Sequence, residues 1–317
     1  MDEPASRQQP VLKHLVDTGL VVVTGKGGTG RTTVAAALGL AAAARGRATI
    51  IAEVAGQARV PGLLGAGAGR PGAEVQVADG LWTTTIDPHA ALEEWLGRQL
   101  PRRLVGPLAR SGAFAGFVTA APGARELVTI TKAWELGEAR RWRREARTYD
   151  TVILDAPASG HGLGLLRTPR TFADIARIGP IAGQARAVDA ALADPARTAL
   201  VAVALPGELA VSETLELEGW VAERVGRDFD AIVVNAVWPR RLGAGDVARV
   251  RAADGALPAP AAHAALAAAG RVRTQQAQLA RLRREAVAAV STLPFVFADR
   301  LGSDHIRALS ARLAGAE

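Results

Sequence analysis

Cysteine is absent from this 317-residue chain, and its single methionine is the first residue. The lack of thiols excludes disulfide bonds, thiolate metal centres and cysteine nucleophiles. The five histidines are scattered without H-x-x-x-H spacing, so we expect no zinc site. No uncharged apolar run approaches the roughly 18 residues of a spanning helix, and the polar N-terminus lacks a signal-peptide core. The sequence therefore predicts a cytoplasmic protein.

Lysine is also scarce, since it occurs only at positions 13, 26 and 132 among 38 basic residues. The net charge of +7 therefore comes almost wholly from arginine. A basic balance can indicate a nucleic-acid or anionic-membrane partner. The arginines are spread thinly without interleaved aromatics, and the C-terminal "SDHIRALSARLAGAE" is only weakly amphipathic. We expect neither a specific nucleic-acid partner nor a stable membrane anchor.

Short apolar runs alternate with alanine-rich helical patterns along the chain. Strands are predicted at 20–24, 48–54, 81–86, 151–154, 199–205, 231–237 and 293–297. The alternation indicates an α/β fold with a doubly wound, mainly parallel sheet. The glycine-rich 61–72 and the polar 239–262 are predicted as loops. Because 88–148 is too long for one crossover and is helical in pattern, we predict one domain over 1–317 with a helical subdomain inserted at 88–148.

The stretch "VVVTGKGGTGRTT" at 21–33 carries the most informative motif. Its glycines fit the G-x-G-x-x-G of dinucleotide folds, and Glu53 follows at the distance of a ribose-binding acid. The same stretch nearly fits the G-x-x-x-x-G-K-[ST] of a phosphate loop, with Arg31 in the place of the lysine. The residues "RTT" put a cation near the phosphates and a hydroxyl, Thr32, where Mg²⁺ would bind. A triphosphate is therefore favoured over a dinucleotide, which ranks last.

A second segment, "YDTVILDAPASGHGLG", supplies an acid, Asp155, directly after a predicted buried strand. Nucleoside triphosphatases need an acid at such a strand end to hold the water shell of the metal. An acid after a strand can also be a helix cap. The combination of Asp155 with the glycine-rich loop favours the metal role.

Several segments together resemble one family. "GKGGTGRTT" is similar to the deviant Walker A motif of the SIMIBI class, with its early lysine, and "LDAPASGHGLGLLRTP" resembles switch II of the ArsA-like ATPases. That family includes arsenite-pump ATPases and targeting factors for tail-anchored membrane proteins. Further matching segments are "LWTTTIDPHAALEEWL", "APGARELVTITKAWEL", "LPGELAVSETLELEGW" and "DAIVVNAVWP". The closest likeness is to the ArsA-like paralogues of actinobacteria.

The resemblance implies a P-loop fold, a site for ATP and Mg²⁺, and a dimer. Lys26 matches the signature lysine that reaches the partner's nucleotide, and Asn235 matches the position that reads adenine. Thr32 and Asp155 match the metal-site positions, and Gly160 matches the γ-phosphate sensor. The residues expected around the nucleotide are Gly25, Lys26, Gly27, Gly28, Thr29, Gly30, Arg31, Thr32, Thr33, Gly160 and Asn235.

The chain departs from the family pattern at three points. Arg31 keeps the charge of the usual lysine but not its geometry, because guanidinium is longer and planar. The switch I aspartate is missing from "IIAEVAGQARV", which leaves Glu53 as the best available base and Gln57 as a residue that could orient water. The scarcity of methionine and the lack of cysteine argue against a groove for apolar tails and against a thiolate metalloid site.

The sequence thus predicts an ATPase in which Lys26, Glu53 and Asp155 are catalytic. Its ATP state switches a homodimer, or a heterodimer with a paralogue, and thereby the contact with an unidentified protein partner or cargo. One alternative is a weak or inactive nucleotide-binding scaffold paired with an active paralogue. A second alternative is a partition or positioning ATPase that docks on membrane or DNA.

Overall fold

The computed structural model describes residues 15–54, 58–99, 122–143, 145–176, 178–253 and 257–315. Within these ranges the chain forms one sheet in the order β3-β4-β2-β5-β1-β6-β7-β8. The strands are β1 (Leu20–Gly25), β2 (Thr49–Val54), β3 (Val75–Ala78), β4 (Leu81–Ile86), β5 (Thr151–Asp155), β6 (Thr198–Ala204), β7 (Ala231–Val237) and β8 (Ala289–Pro294). Seven of them are parallel, and only β3 runs antiparallel to its neighbour. The predicted doubly wound α/β fold is confirmed.

Helices cover both faces of the sheet, as its continuous apolar strands require. They are α1 (Arg31–Ala44), α2 (Val60–Leu63), α3 (Pro88–Gln99), α4 (Ala124–Leu136), α5 (Ser159–Ile175), α6 (Pro180–Ala193), α7 (Glu208–Val225), α8 (Ala244–Ala252), α9 (Ala259–Glu285) and α10 (Ser303–Ala314). Alternate residues of β1 face two different hydrophobic cores. Leu20 and Val22 face the first core, and Val21 and Val23 face the second. Helices α1, α2 and α10 line the second core, and α3 to α7 and α9 line the first.

Four local predictions differ from the structure. Strand β3 was not predicted, because its four residues at the sheet edge, three half-buried and one exposed, give a weak apolar signal. The last strand ends at Pro294 rather than continuing to 297, and Phe295 and Phe297 are exposed beyond it. The predicted loop at 61–72 begins inside α2, and the predicted loop at 239–262 contains α8 and the start of α9.

The segment 88–148 contributes α3 and α4 to the described residues, while 100–121 lies outside them. Helix α4 contacts β2, β4 and β5 as well as α3. Its buried Ile130 and Leu136 belong to the first core. The division of 88–148 into a separate subdomain stays a prediction, as does the single domain over 1–317. In the described ranges we find no helix with the length and apolar content needed to span a membrane.

Candidate nucleotide site

The loop between β1 and α1 lies at the carboxyl edge of the sheet, where open α/β folds bind ligands. Gly28 and Gly30 adopt the left-handed φ values of +79° and +86°, which few other residues tolerate. The Thr29 hydroxyl donates to the carbonyl oxygen of Lys26 at 3.0 Å, and the Asn235 side-chain amide donates to the carbonyl oxygen of Thr29 at 3.0 Å. The loop is therefore fixed both by its own residues and by β7.

The described part of the chain leaves the space beside this loop open. A methyl group added at Gly27 or Gly28 would meet none of its heavy atoms within 4 Å. Helix α1 begins directly after Gly30, and no side chain among the described residues caps its N-terminus. The unpaired N–H groups and the dipole of a helix start attract phosphate. The loop thus has the shape and the donors of a phosphate cradle.

Thr32 and Asp155 meet at the start of α1. The Thr32 hydroxyl donates to Asp155 Oδ2 at 2.6 Å, and Asp155 is buried at the end of β5. Burial raises the pKa of Asp155, while the Thr32 hydrogen bond and the nearby Arg31 guanidinium act in the opposite direction. A hydroxyl and a carboxylate are hard oxygen ligands, and Mg²⁺ takes few of them because it retains waters and substrate phosphates. Both residues therefore fit a Mg²⁺–nucleotide site.

Arg31 lies against the end of β5. Its guanidinium donates to the carbonyl oxygen of Ala156, the residue after Asp155. Burial lowers the pKa of Arg31, and the Asp155 carboxylate partly offsets this effect. In this conformation the guanidinium is held by the segment that follows β5.

Glu53 lies beside Asp155, since the two residues are paired in the register of β2 and β5. Its side chain is only 1% exposed and accepts the main-chain N–H groups of Arg59 at 2.7 Å and of Val60 at 3.2 Å. Burial raises the pKa of Glu53 to about 7, which exceeds the opposing effect of these two hydrogen bonds. Glu53 therefore holds the start of α2 and also titrates near neutral pH.

The raised pKa of Glu53 predicts that stability falls as the pH rises. The folded chain keeps the Glu53 carboxyl protonated above 4.5, the ordinary pKa at which the unfolded chain loses that proton. The contribution of this proton to the free energy of unfolding is therefore complete below pH 4.5 and is lost as the pH passes about 7. We expect the free energy of unfolding to decline less over this range in Glu53→Gln than in the wild type. The slope does not vanish, because Asp155 has a pKa raised in the same direction. Urea unfolding at several pH values measures both slopes, and equal slopes would contradict the assignment.

Lys26 is half-exposed, and its ammonium lies 3.2 Å from the Glu213 carboxylate on α7. Thr33 is buried in the first turn of α1, and Gly160 lies in the first turn of α5. Gln57 lies outside the described residues, as do the side chains of Ser159 and His161. Two further contacts, of Glu213 with Lys26 and of Arg59 with Glu53, were not predicted. Both residues lie in segments quoted above for their likeness or departure from the family, but the pattern of those segments does not indicate the contacts, which arise from the fold.

A sequence profile of the anion-transporting ATPase family matches residues 18–179, half of the chain, from β1 to the end of α5. The chain belongs to this family. The matched region contains the glycine-rich loop at 25–33, Glu53, Asp155 and Gly160. Membership in the anion-transporting ATPase family makes the chain an ATPase by class and confirms the family predicted from its motifs.

Individual relatives agree with the anion-transporting ATPase family. ATPase BagA of Mycobacterium tuberculosis is 32% identical over 274 residues, which cover 84% of this chain and 78% of that protein. ATPase GET3 of Lachancea thermotolerans is 26% identical over 186 residues, or 56% of this chain and 53% of that protein. An arsenical pump-driving ATPase of Escherichia coli is 26% identical over 247 residues, or 70% of this chain and 40% of that protein. The match to BagA extends the likeness beyond residue 179.

Proposed function

We propose that the chain binds Mg²⁺–ATP on the loop at residues 25–33 and hydrolyses it to ADP and phosphate. The observation that carries the proposal is the 2.6 Å hydrogen bond between Thr32 and Asp155. It joins the start of α1, directly behind a glycine-rich cradle, to an acid at the end of a neighbouring strand. These are the parts from which phosphoryl-transfer sites are built.

The phosphates are held mainly by main-chain N–H groups of the loop and of α1. Arg31 adds a positive charge, and Asn235, at the carboxyl end of β7, reads the adenine edge. Thr32 would hold Mg²⁺ through its hydroxyl, with Asp155 ordering the bound waters. The metal, when bound, neutralises charge that develops on the phosphate oxygens. The residues proposed for nucleotide binding are Gly25, Lys26, Gly27, Gly28, Thr29, Gly30, Arg31, Thr32, Thr33, Gly160 and Asn235.

In the proposed reaction a water oxygen attacks the γ-phosphorus, and ADP leaves with the electron pair of the broken bond. Glu53 is the candidate to accept the proton of the water. A pKa of about 7 suits a general base at neutral pH. Each oxygen of a carboxylate has two lone pairs, so Glu53 can hold the N–H groups of Arg59 and Val60 and still accept a further proton.

ATP binding and hydrolysis then switch a dimer. Lys26 leaves Glu213 to reach the nucleotide of the partner subunit, and Gly160 at the start of α5 responds to the γ-phosphate. The partner is a second copy or a paralogue, and the switch governs contact with a protein partner or cargo. The chain acts as one nucleotide-binding domain over 1–317, with 88–148 as a helical subdomain that follows the nucleotide state.

A scaffold that binds ATP without turnover is the second candidate, and the Arg31 contact favours it. The guanidinium is bonded to the carbonyl oxygen of Ala156, so it would have to leave this acceptor to follow the phosphates. A lysine ammonium is a compact charge that suits the loop better. In this alternative, bound nucleotide stabilises the conformation of the chain that pairs with a catalytically active paralogue.

Phosphate release from saturating Mg²⁺–ATP tests the two candidates, with nucleotide binding and molar mass measured on the same samples. We expect turnover by the wild type and turnover faster by about tenfold in Arg31→Lys. A transition-state analogue is expected to double the mass of the wild type but not of Lys26→Ala. Binding without turnover in the wild type and in Arg31→Lys would support the scaffold, and absence of binding would contradict both candidates.

A further inference from the structure

Helices α8 and α9 and the segment before α8 line a half-open cavity of about 510 Å³ that takes no part in the proposed nucleotide site. The nine residues of α8 include no buried side chain. A helix this short is not stable in water by itself and depends on tertiary packing. Since α8 covers a cavity rather than a filled core, its packing would improve if the cavity were occupied.

The walls of the cavity are apolar and its rim is basic. Leu242 and Val247 line the α8 side, and Leu266 and Val272 line the α9 side. The lining also contains three arginines, Arg240, Arg251 and Arg273, and Gln276. Ligand pockets of small molecules usually measure about 300–1,000 Å³ and combine apolar walls with a few polar groups. This cavity has both properties.

The three rim arginines are not neutralised within the described part of the chain, where Arg240, Arg251 and Arg273 form no salt bridge. Other arginines of the two helices do pair, as Arg249 does with Asp246 and Arg281 with Glu285. Helix α9 has no acidic residue before Glu285. Three unpaired guanidinium groups around one apolar cavity favour an occupant that is itself negatively charged.

We propose that this cavity binds an organic anion with an apolar body, namely an amphiphilic carboxylate of the medium-chain fatty-acid type. Guanidinium groups hold a carboxylate through paired, charge-assisted hydrogen bonds. The alkyl body would displace water from the walls formed by α8 and α9. The site shares no residue with the loop at 25–33 or with Asn235, so it stands independently of the proposed ATP hydrolysis.

Isothermal titration calorimetry with laurate tests the proposal on the full chain in excess Mg²⁺–ADP, which keeps the nucleotide site occupied. We expect saturable binding of one laurate per chain. The double variant Arg251→Gln/Arg273→Gln is expected to bind laurate at least about tenfold more weakly, because each lost charged hydrogen bond costs more than a factor of ten. Arg283→Gln is the matched control, since it removes the same charge from an exposed part of α9 that does not line the cavity.

A second pair of measurements distinguishes specific binding in the cavity from non-specific binding of an amphiphile to the protein surface. Ala269→Phe fills the cavity without removing charge, and we expect it to abolish laurate binding while circular dichroism stays unchanged. Dodecyltrimethylammonium has a similar alkyl chain with the opposite charge and is expected not to bind. The proposal is wrong if the wild type gives no saturable heat with laurate. Equal affinity in the double variant, or binding of the cation as tight as that of laurate, would also overturn it.

Discussion

Asp155→Asn is expected to reduce phosphate release from Mg²⁺–ATP by about 100-fold or more. The substitution keeps the size of the side chain and leaves an oxygen that can accept the Thr32 hydroxyl. It removes the negative charge that would order the water shell of Mg²⁺. Asp155 is the only carboxylate on β5, and Glu53 on the neighbouring β2 already accepts the main-chain N–H groups of Arg59 and Val60. Steady-state phosphate release at saturating ATP measures the effect.

The control for this variant lies just before the opposite end of the same strand. Asp150 accepts the main-chain N–H of Ala48 at 2.9 Å and lies directly before the amino end of β5, whereas Thr32 contacts the carboxyl end of that strand. Asp150→Asn is expected to leave turnover unchanged within about twofold. An Asp155→Asn enzyme that keeps wild-type turnover would remove Asp155 from the proposed metal site.

The loop and Asp155 could be predicted from the sequence because each depends on local pattern. Short stretches of sequence are enough to indicate three features: glycines that adopt left-handed φ values, a helix that begins at Arg31, and an acid that ends a buried strand. Their meeting in space follows from topology, since parallel neighbours present their carboxyl ends at one edge of the sheet. The adjacency of β1 and β5 is therefore the step that converts two motifs into one site.

The remaining contacts of the site depend on positions far apart in the chain. Lys26 meets Glu213 only because α7 packs beside the loop, and the family-like segment that contains Glu213 does not indicate this partner. The guanidinium of Arg31 donates to the carbonyl oxygen of Ala156. Every residue has such a main-chain carbonyl, so the sequence cannot indicate which one accepts the hydrogen bond. The charge of Arg31 was predictable, but the group that holds it was not.

The boundary errors have a similar origin in packing. Strand β8 begins with small and polar residues whose pairing with β7 outweighs their weak strand pattern. Phe295 and Phe297, which the predicted strand included, instead contact Trp238 in tilted and edge-to-face arrangements at ring-centroid distances of 5.6 and 5.4 Å. Tertiary contact thus overrides local propensity at this edge of the sheet.

Gly25→Ala is expected to lower the free energy of unfolding by about 3 kcal/mol, a large part of the roughly 5–15 kcal/mol of a typical domain. Gly25 has a φ of +146°, which side-chain-bearing residues rarely adopt, and an added methyl carbon would lie 2.4 Å from the carbonyl oxygen of Val203. That oxygen belongs to the backbone of β6, which pairs with β1, so it cannot rotate away as a side chain could. Relief would require β1 and β6 to separate next to the phosphate loop. Urea unfolding followed by circular dichroism measures the loss of stability.

Gly27→Ala tests whether this effect comes from packing rather than from the loss of any loop glycine. A methyl carbon at position 27 meets no heavy atom of the described residues within 4 Å, and Gly27 does not have a positive φ. Its stability should therefore match that of the wild type within about 0.5 kcal/mol. If Gly25→Ala were equally stable, the close approach of β1 to β6 would have to relax without cost. The role of Gly25 would then be limited to leaving room for a ligand. The conformation of the loop would depend on Gly28, Gly30 and the Asn235 contact instead.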